Sequence, residues 1–297
     1  EPYPSRPIRV VVPFGAGGTS DVVARLLSAK LSESLKQTVN VDPKPGANGI
    51  IGTDIVAKAA PDGYTLLLTV ASAQTLTPAL YKLPFDPVKD FAPVSLVANL
   101  GGVLLVNANV QARTMQEFVA QARTRPGRFS YGAGTSLLRL IGEQLKQATG
   151  ADITMVPYKG TGPQMAAVVG GEVDAVVDPF VGMAHVKSGK VRPLAVLMNK
   201  RSPLLPDVPT LEETGIKGIA LDSWAAVLAP AGTPPEIVGR LSTEIARIVA
   251  LPDVRERLAA LNYDPVGSTP AELGRTIDAE IAKWKRVVKE ANYKAED

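Results

Sequence analysis

Four segments of small and hydroxyl-bearing residues stand where an apolar, β-branched run gives way to a helical pattern: Phe14-Gly15-Ala16-Gly17-Gly18-Thr19, Ala71-Ser72-Ala73-Gln74-Thr75, Gly132-Ala133-Gly134-Thr135-Ser136 and Tyr158-Lys159-Gly160-Thr161-Gly162. Such a turn can bind an anion. The first turn of a helix has backbone N–H groups without intrahelical partners and carries the positive end of the helix dipole. Glycine lets a ligand approach that backbone closely. In open parallel sheets, ligands sit beyond the carboxyl ends of the strands, where these turns lie. A single turn of this kind does no more than reverse the chain; the recurrence is what points to an anion site. Two units facing each other, each with two of the turns, would bring all four to one cleft.

Other chemistries find little material. The first turn imitates a dinucleotide-binding unit, with a strand, Gly-x-Gly, a helix and a second strand ending at Asp42, but Ser20 stands where the third glycine belongs. No P-loop sequence occurs. The chain has no cysteine and a single histidine, His185, placed at a helix end before a turn. Nucleophile–base pairs and thiolate or imidazole metal sites are therefore poorly supplied. Two acids are notable. Asp21 sits near a helix start, where capping explains it, and Asp178 follows a strand.

The elements that must position these turns follow from the hydrophobic period. Strands are expected at 8–14, 38–41, 64–70, 103–106, 129–132, 154–156 and 173–177. Helices are expected at 19–35, 115–124, 137–149 and 162–169, the last capped by Thr161 and stopped by Gly170-Gly171. Thr233-Pro234-Pro235-Glu236 starts another helix, with Ile237, Leu241, Ile245, Ile248 and Val249 inward. A final helix buries Leu273, Ile277, Ile281, Trp284 and Val288. Alternating strands and helices predict an α/β fold with largely parallel sheets. An apolar fraction of 45% over 297 residues supplies core enough for two domains. No apolar run reaches the roughly 18 residues of a membrane span. The net charge of +3 is scattered, which argues against nucleic acid as a partner. Glu1 in place of an initiator Met fits a mature form that has lost a signal peptide, and equally an arbitrary cut of a longer chain.

Ordered blocks along nearly the whole chain resemble one family. They begin at Tyr3-Pro4-Ser5-Arg6-Pro7-Ile8-Arg9 and Val12-Pro13-Phe14 through Gly17-Gly18-Thr19-Ser20-Asp21. Lys44-Pro45-Gly46-Ala47-Asn48-Gly49, Pro61-Asp62-Gly63-Tyr64-Thr65-Leu66 and Phe85-Asp86-Pro87-Val88-Lys89-Asp90-Phe91 follow. Val156-Pro157-Tyr158-Lys159-Gly160, Gly170-Gly171-Glu172-Val173-Asp174, Leu205-Pro206-Asp207-Val208-Pro209-Thr210 and Ala229-Pro230-Ala231-Gly232-Thr233-Pro234 complete the set. In these the chain resembles the Bug receptors, the periplasmic solute-binding proteins of tripartite tricarboxylate transporters. The resemblance implies a two-lobed periplasmic-binding-protein fold of type II, each lobe a mostly parallel sheet flanked by helices. Domain one would comprise 1–100 and 222–297, domain two 101–221, with the ligand cleft between them. It implies a monomeric receptor in the periplasm, without catalysis, cofactor or metal, whose partners are a small carboxylate and the transporter's membrane subunits. The carboxylate would be held by backbone groups and ordered water between the first turn and the Tyr158-Lys159-Gly160 turn.

The expected ligand contacts are thus Gly15, Ala16, Gly17, Gly18 and Thr19 with Tyr158, Lys159 and Gly160, joined by Ser72, Ala73, Gly134, Thr135, Ser136 and Asp178. Phe14, Tyr158 and Phe180 would wall the pocket. One departure concerns Arg139, which stands before Leu140 and Glu143 where family members usually carry histidine. As a permanent bidentate carboxylate binder it would suit a diacid if it faces the cleft; the other reading is a salt bridge at the surface or between helices. Two other functions remain open on the residues alone: an NAD(P)-dependent oxidoreductase built on the first strand–helix–strand unit, and a ligand sensor that signals without transport.

Overall fold

A computed structural model describes residues 3–290. The first lobe opens with β1 (Ile8–Val12), α1 (Thr19–Leu35), β2 (Val39–Pro43), α2 (Ile50–Ala57), β3 (Thr65–Val70), α3 (Thr77–Leu80) and β4 (Phe91–Leu100). The second holds β5 (Val103–Asn107), α4 (Met115–Thr124), β6 (Phe129–Ala133), α5 (Ser136–Thr149), β7 (Ile153–Pro157), α6 (Thr161–Gly170), β8 (Ala175–Asp178), α7 (Met183–Lys187) and β9 (Val191–Val196). The chain then returns with β10 (Ser223–Pro230), α8 (Pro235–Val249), α9 (Pro252–Ala259), β11 (Asp264–Pro265) and α10 (Pro270–Glu290).

The helices form where period and caps agree. On α1, Val23, Leu27, Leu31 and Leu35 recur every four residues and are buried against the sheet, and Lys36 ends the helix in the left-handed region. Thr114 accepts from the N–H of Glu117 at the start of α4, and Thr135 accepts from that of Leu138 at the start of α5. The start of α6 differs from expectation. Its cap residue is Gly160, and the Thr161 hydroxyl instead accepts from the N–H of Thr19 in the other lobe at 3.0 Å. A contact between lobes has taken the side chain that a local rule assigns to the cap.

The six-stranded sheet has the order β11-β4-β10-β3-β1-β2 and the five-stranded sheet the order β7-β6-β8-β5-β9. The sheets are mixed, which corrects the expectation that each is mostly parallel. β1 runs parallel to β2 and β3, and β6 to β7 and β8, but β10 is antiparallel to β3 and β4, and β5 to β8 and β9. The reason is the crossing itself. β4 leads the chain out of the first lobe and β10 brings it back alongside, so the two must run in opposite directions.

Only Gly101 and Gly102 separate β4 from β5. The returning segment presses on them: a side chain at Gly101 would strike Met198, and one at Gly102 would press on Leu221. The Gly102 carbonyl accepts from Leu197, whose own carbonyl accepts from Leu221. Apolar packing is continuous across the lobes, since one cluster holds Phe14, Val70 and Leu100 together with Leu105, Met165 and Val176. Leu76, from the π-helical turn Ser72–Leu76 of the first lobe, is fully buried in the second lobe's cluster, and Trp284 and Val288 of α10 also pack there. The lobes are closed on each other.

Candidate functional site

The ends of β1, β3 and β6 point into the space between the lobes, and a cavity of about 30 Å³ lies there. Thr19 and Ser20 at the start of α1, Thr135 at the cap of α5 and Thr161 at the start of α6 line it, joined by Ser72 and Ser223. The rest of the wall is apolar: Phe14, Val70, Leu100, Leu137, Leu138, Pro179 and Leu221. Among the described residues, no ionisable side chain lines it. Among the described residues the hydroxyls of Ser20, Ser72 and Ser223 make no hydrogen bond to protein, so each can turn its donor towards a ligand. Three helix starts and a set of hydroxyls in an apolar wall can hold a negative charge without a cation, through partial charges fixed by the fold.

Of the residues expected from sequence, Phe14, Thr19, Ser72 and Thr135 line this cavity. The glycine turns meet each other at its rim. Gly15 donates to the Lys159 carbonyl at 3.2 Å, and Thr19 to the Thr161 hydroxyl at 3.0 Å. Gly17, with φ of 78°, donates to Asp21 Oδ2 at 3.0 Å, and Arg25 holds the same oxygen at 2.9 Å. So the N–H groups of Gly15, Gly17 and Thr19, three of those expected to face the anion, are already committed to protein acceptors. Ala16 and Lys159 are exposed on the rim, and Gly18 is buried beneath Thr161. Gly160 and Gly134 pack backbone to backbone, and Gly134 donates to Gln164 Oε1 at 2.6 Å.

The others lie behind the wall. Ala73 is in the core cluster and Tyr158 packs against it, with burial and then Glu172 raising the phenol's pKa. Ser136 is buried beside the lining residues Thr135 and Leu137, and its hydroxyl has no partner. Phe180 is fully buried core and is not part of the lining. Arg139, half-buried on α5, is also absent from the lining. Asp178 is wholly buried. Desolvation pushes its carboxyl up to about 7, opposed by backbone N–H groups of the turn, and Oδ2 accepts from Gly182 at 2.9 Å. It fixes the turn that presents Pro179 to the cavity.

Sequence reading missed Ser20, Val70, Leu100, Leu137, Leu138, Pro179, Leu221 and Ser223, and took Thr161 for a cap. Ser20 stands in one of the family-like blocks and Thr161 in the fourth turn, and both needed only the register of their helix starts. Leu100, Leu221 and Ser223 belong to the crossing segments, which carry no motif. A dinucleotide finds no support at the first turn. A methyl group on Gly162 would already collide with the Ala16 carbonyl, and Asp42 is ion-paired with Arg9 at 2.6 Å and Lys44 at 3.2 Å. Among the described residues, no group of His, Cys, Asp or Glu could hold a metal, and no helix is long and apolar enough to cross a membrane.

The profile described as "Tripartite tricarboxylate transporter family receptor" matches residues 23–293. The chain belongs to this receptor family. Protein BugT of Bordetella pertussis is 40% identical over 98% of this chain and 91% of its own length. The solved structure of the periplasmic binding protein BugD superposes with a TM-score of 0.94 at 34% identity, covering 99% of this chain and 100% of that one. That of R. palustris Rpa4515 with adipate gives 0.93 at 35% identity, covering 98% of each chain. The receptor fold is therefore the two-lobed one of periplasmic binding proteins, and the receptor's similar structures are solute-binding proteins.

Proposed function

We propose that this receptor works without catalysis in the periplasm, closing its lobes around one small carboxylate and presenting it to the membrane subunits of a tripartite carrier. The observation that carries the reading is the cavity between the lobes, where three helix starts and six hydroxyls meet in an otherwise apolar wall. Adipate in a similar protein supports a carboxylate as the class of ligand. The described residues divide at the crossings, 3–100 with 222–290 against 101–221, and Gly101-Gly102 with the segment before Ser223 forms the hinge. Thr19, Ser20, Ser72, Thr135, Thr161 and Ser223 hold the acid, while the glycine turns form the rim that seals it.

A thermal-shift panel of mono- and dicarboxylates, amino acids, aromatic acids and NAD tests this. An acid at about 100 times its dissociation constant adds about 2.7 kcal/mol of stability. Stabilisation by a carboxylate and none by NAD is the expected result. Protection by NAD alone would return the oxidoreductase reading.

A further inference from the structure

We infer that Tyr263 is a positioning residue of this site, a latch of the first lobe whose hydroxyl holds the cavity-lining Pro179 of the second. The inference rests on the receptor reading above. Tyr263 lies between α9 and β11 in the first lobe and is 1% exposed, among the largest fully buried side chains. Its Oη donates to the carbonyl of Pro179 in the second lobe at 2.5 Å. Pro179 lines the cavity, so the phenol's one proton reaches from the first lobe to the wall of the site in the second.

The acceptor of this bond is fixed. Pro179 opens the turn that Asp178 holds through Gly182, in which Phe180 adopts φ of 62° while wholly buried. A bulky side chain in the left-handed region persists only where its surroundings dictate the conformation. Burial raises the phenol's pKa, so the donor keeps its proton at any working pH. The ring packs in the core cluster as a phenylalanine would, and the hydroxyl alone reaches the opposite lobe. Opening parts Oη from the Pro179 carbonyl, so this bond belongs to the closed form. A ligand seated against Pro179 steadies the acceptor of this bond.

Tyr263→Phe removes the hydroxyl and keeps the ring. The chain has no cysteine, so spin labels at Ala29→Cys on α1 and Gln147→Cys on α5 report the separation of the lobes without interference. The probe acid is whichever of adipate, malate, hexanoate and benzoate most raises the wild-type midpoint. The expected result is an unliganded midpoint near wild type, a dissociation rate about tenfold faster with the association rate unchanged, and a smaller closed fraction by label distance. Wild-type dissociation in the variant, or an unliganded midpoint that falls as far as the liganded one, overturns the latch. Should none of the acids stabilise wild type, the receptor reading fails instead. The latch is then read from the unliganded closed fraction, which Tyr263→Phe must lower about tenfold to sustain it.

Discussion

Gly162→Ala should leave both lobes folded and stop them closing. Gly162 is the second residue of α6, and a methyl group there would sit 3.0 Å from Gly18 N, 3.1 Å from the Gly17 carbonyl carbon and closer still to the Ala16 oxygen, all in the opposite lobe. Comfortable carbon–oxygen contacts begin at about 3.3 Å, so the rim must open by about 1 Å. That displacement breaks the bonds from Gly15 to Lys159, now 3.2 Å, and from Thr19 to Thr161, now 3.0 Å. Each contributes about 0.5–1.5 kcal/mol net, so closure loses about 1–3 kcal/mol, or roughly 5- to 150-fold in affinity. Inside a helix alanine is favoured over glycine by up to about 1 kcal/mol, so the unliganded midpoint should hold or rise. Calorimetry with the acid found by thermal shift, beside an unliganded melt, reads both quantities. Full wild-type affinity in the folded variant would refute the idea that ligand is held by contact of these two turns.

Three further outcomes are expected. Asp178 titrates at about 7 in the folded protein against 3.8 unperturbed, so between these values the native state keeps a proton that the unfolded chain releases. Stability from this group therefore falls as pH rises through that window, by on the order of 4 kcal/mol in total, and Asp178→Asn should gain on wild type by that trend. A difference between the two melts that stays constant from pH 4 to pH 8 would show that the carboxyl does not titrate there. Arg139→Ala should leave the ratio of diacid to monoacid affinity unchanged, because Arg139 does not line the cavity; a selective loss of the diacid by calorimetry would restore it to the site. Ser72→Ala removes a cavity hydroxyl that supports no other protein group, so affinity should drop by about 1 kcal/mol with the unliganded midpoint unmoved. An unchanged dissociation constant would place the acid elsewhere.

Much of the local structure was legible in the residues. The α1 and α4 boundaries follow from three-and-four spacing and from turn residues, because burial on one helix face needs only near neighbours in sequence. The four glycine- and hydroxyl-rich turns likewise declared themselves, and Phe14, Thr19, Ser72 and Thr135 among them do line the cavity. Leu100 and Ser223 were not legible. They face each other in β4 and β10, over a hundred residues apart, and strands Phe91–Leu100 and Ser223–Pro230 look like any apolar run until they pair.

By itself, then, the sequence determined that strands end in turns suited to an anion and that thiolate-metal and phosphate-loop chemistry lack their residues. The tertiary structure decided which donors remain for a ligand. Only closure shows that Gly15 and Thr19 spend their N–H groups on the other lobe, that Thr161 is a bridge and not a cap, and that Arg139 lies outside the lining. The physical reason is that a backbone donor is indifferent to whether a ligand or a distant residue satisfies it. Two turns some 140 positions apart become each other's partners through the crossing of β4 and β10, which no local pattern encodes.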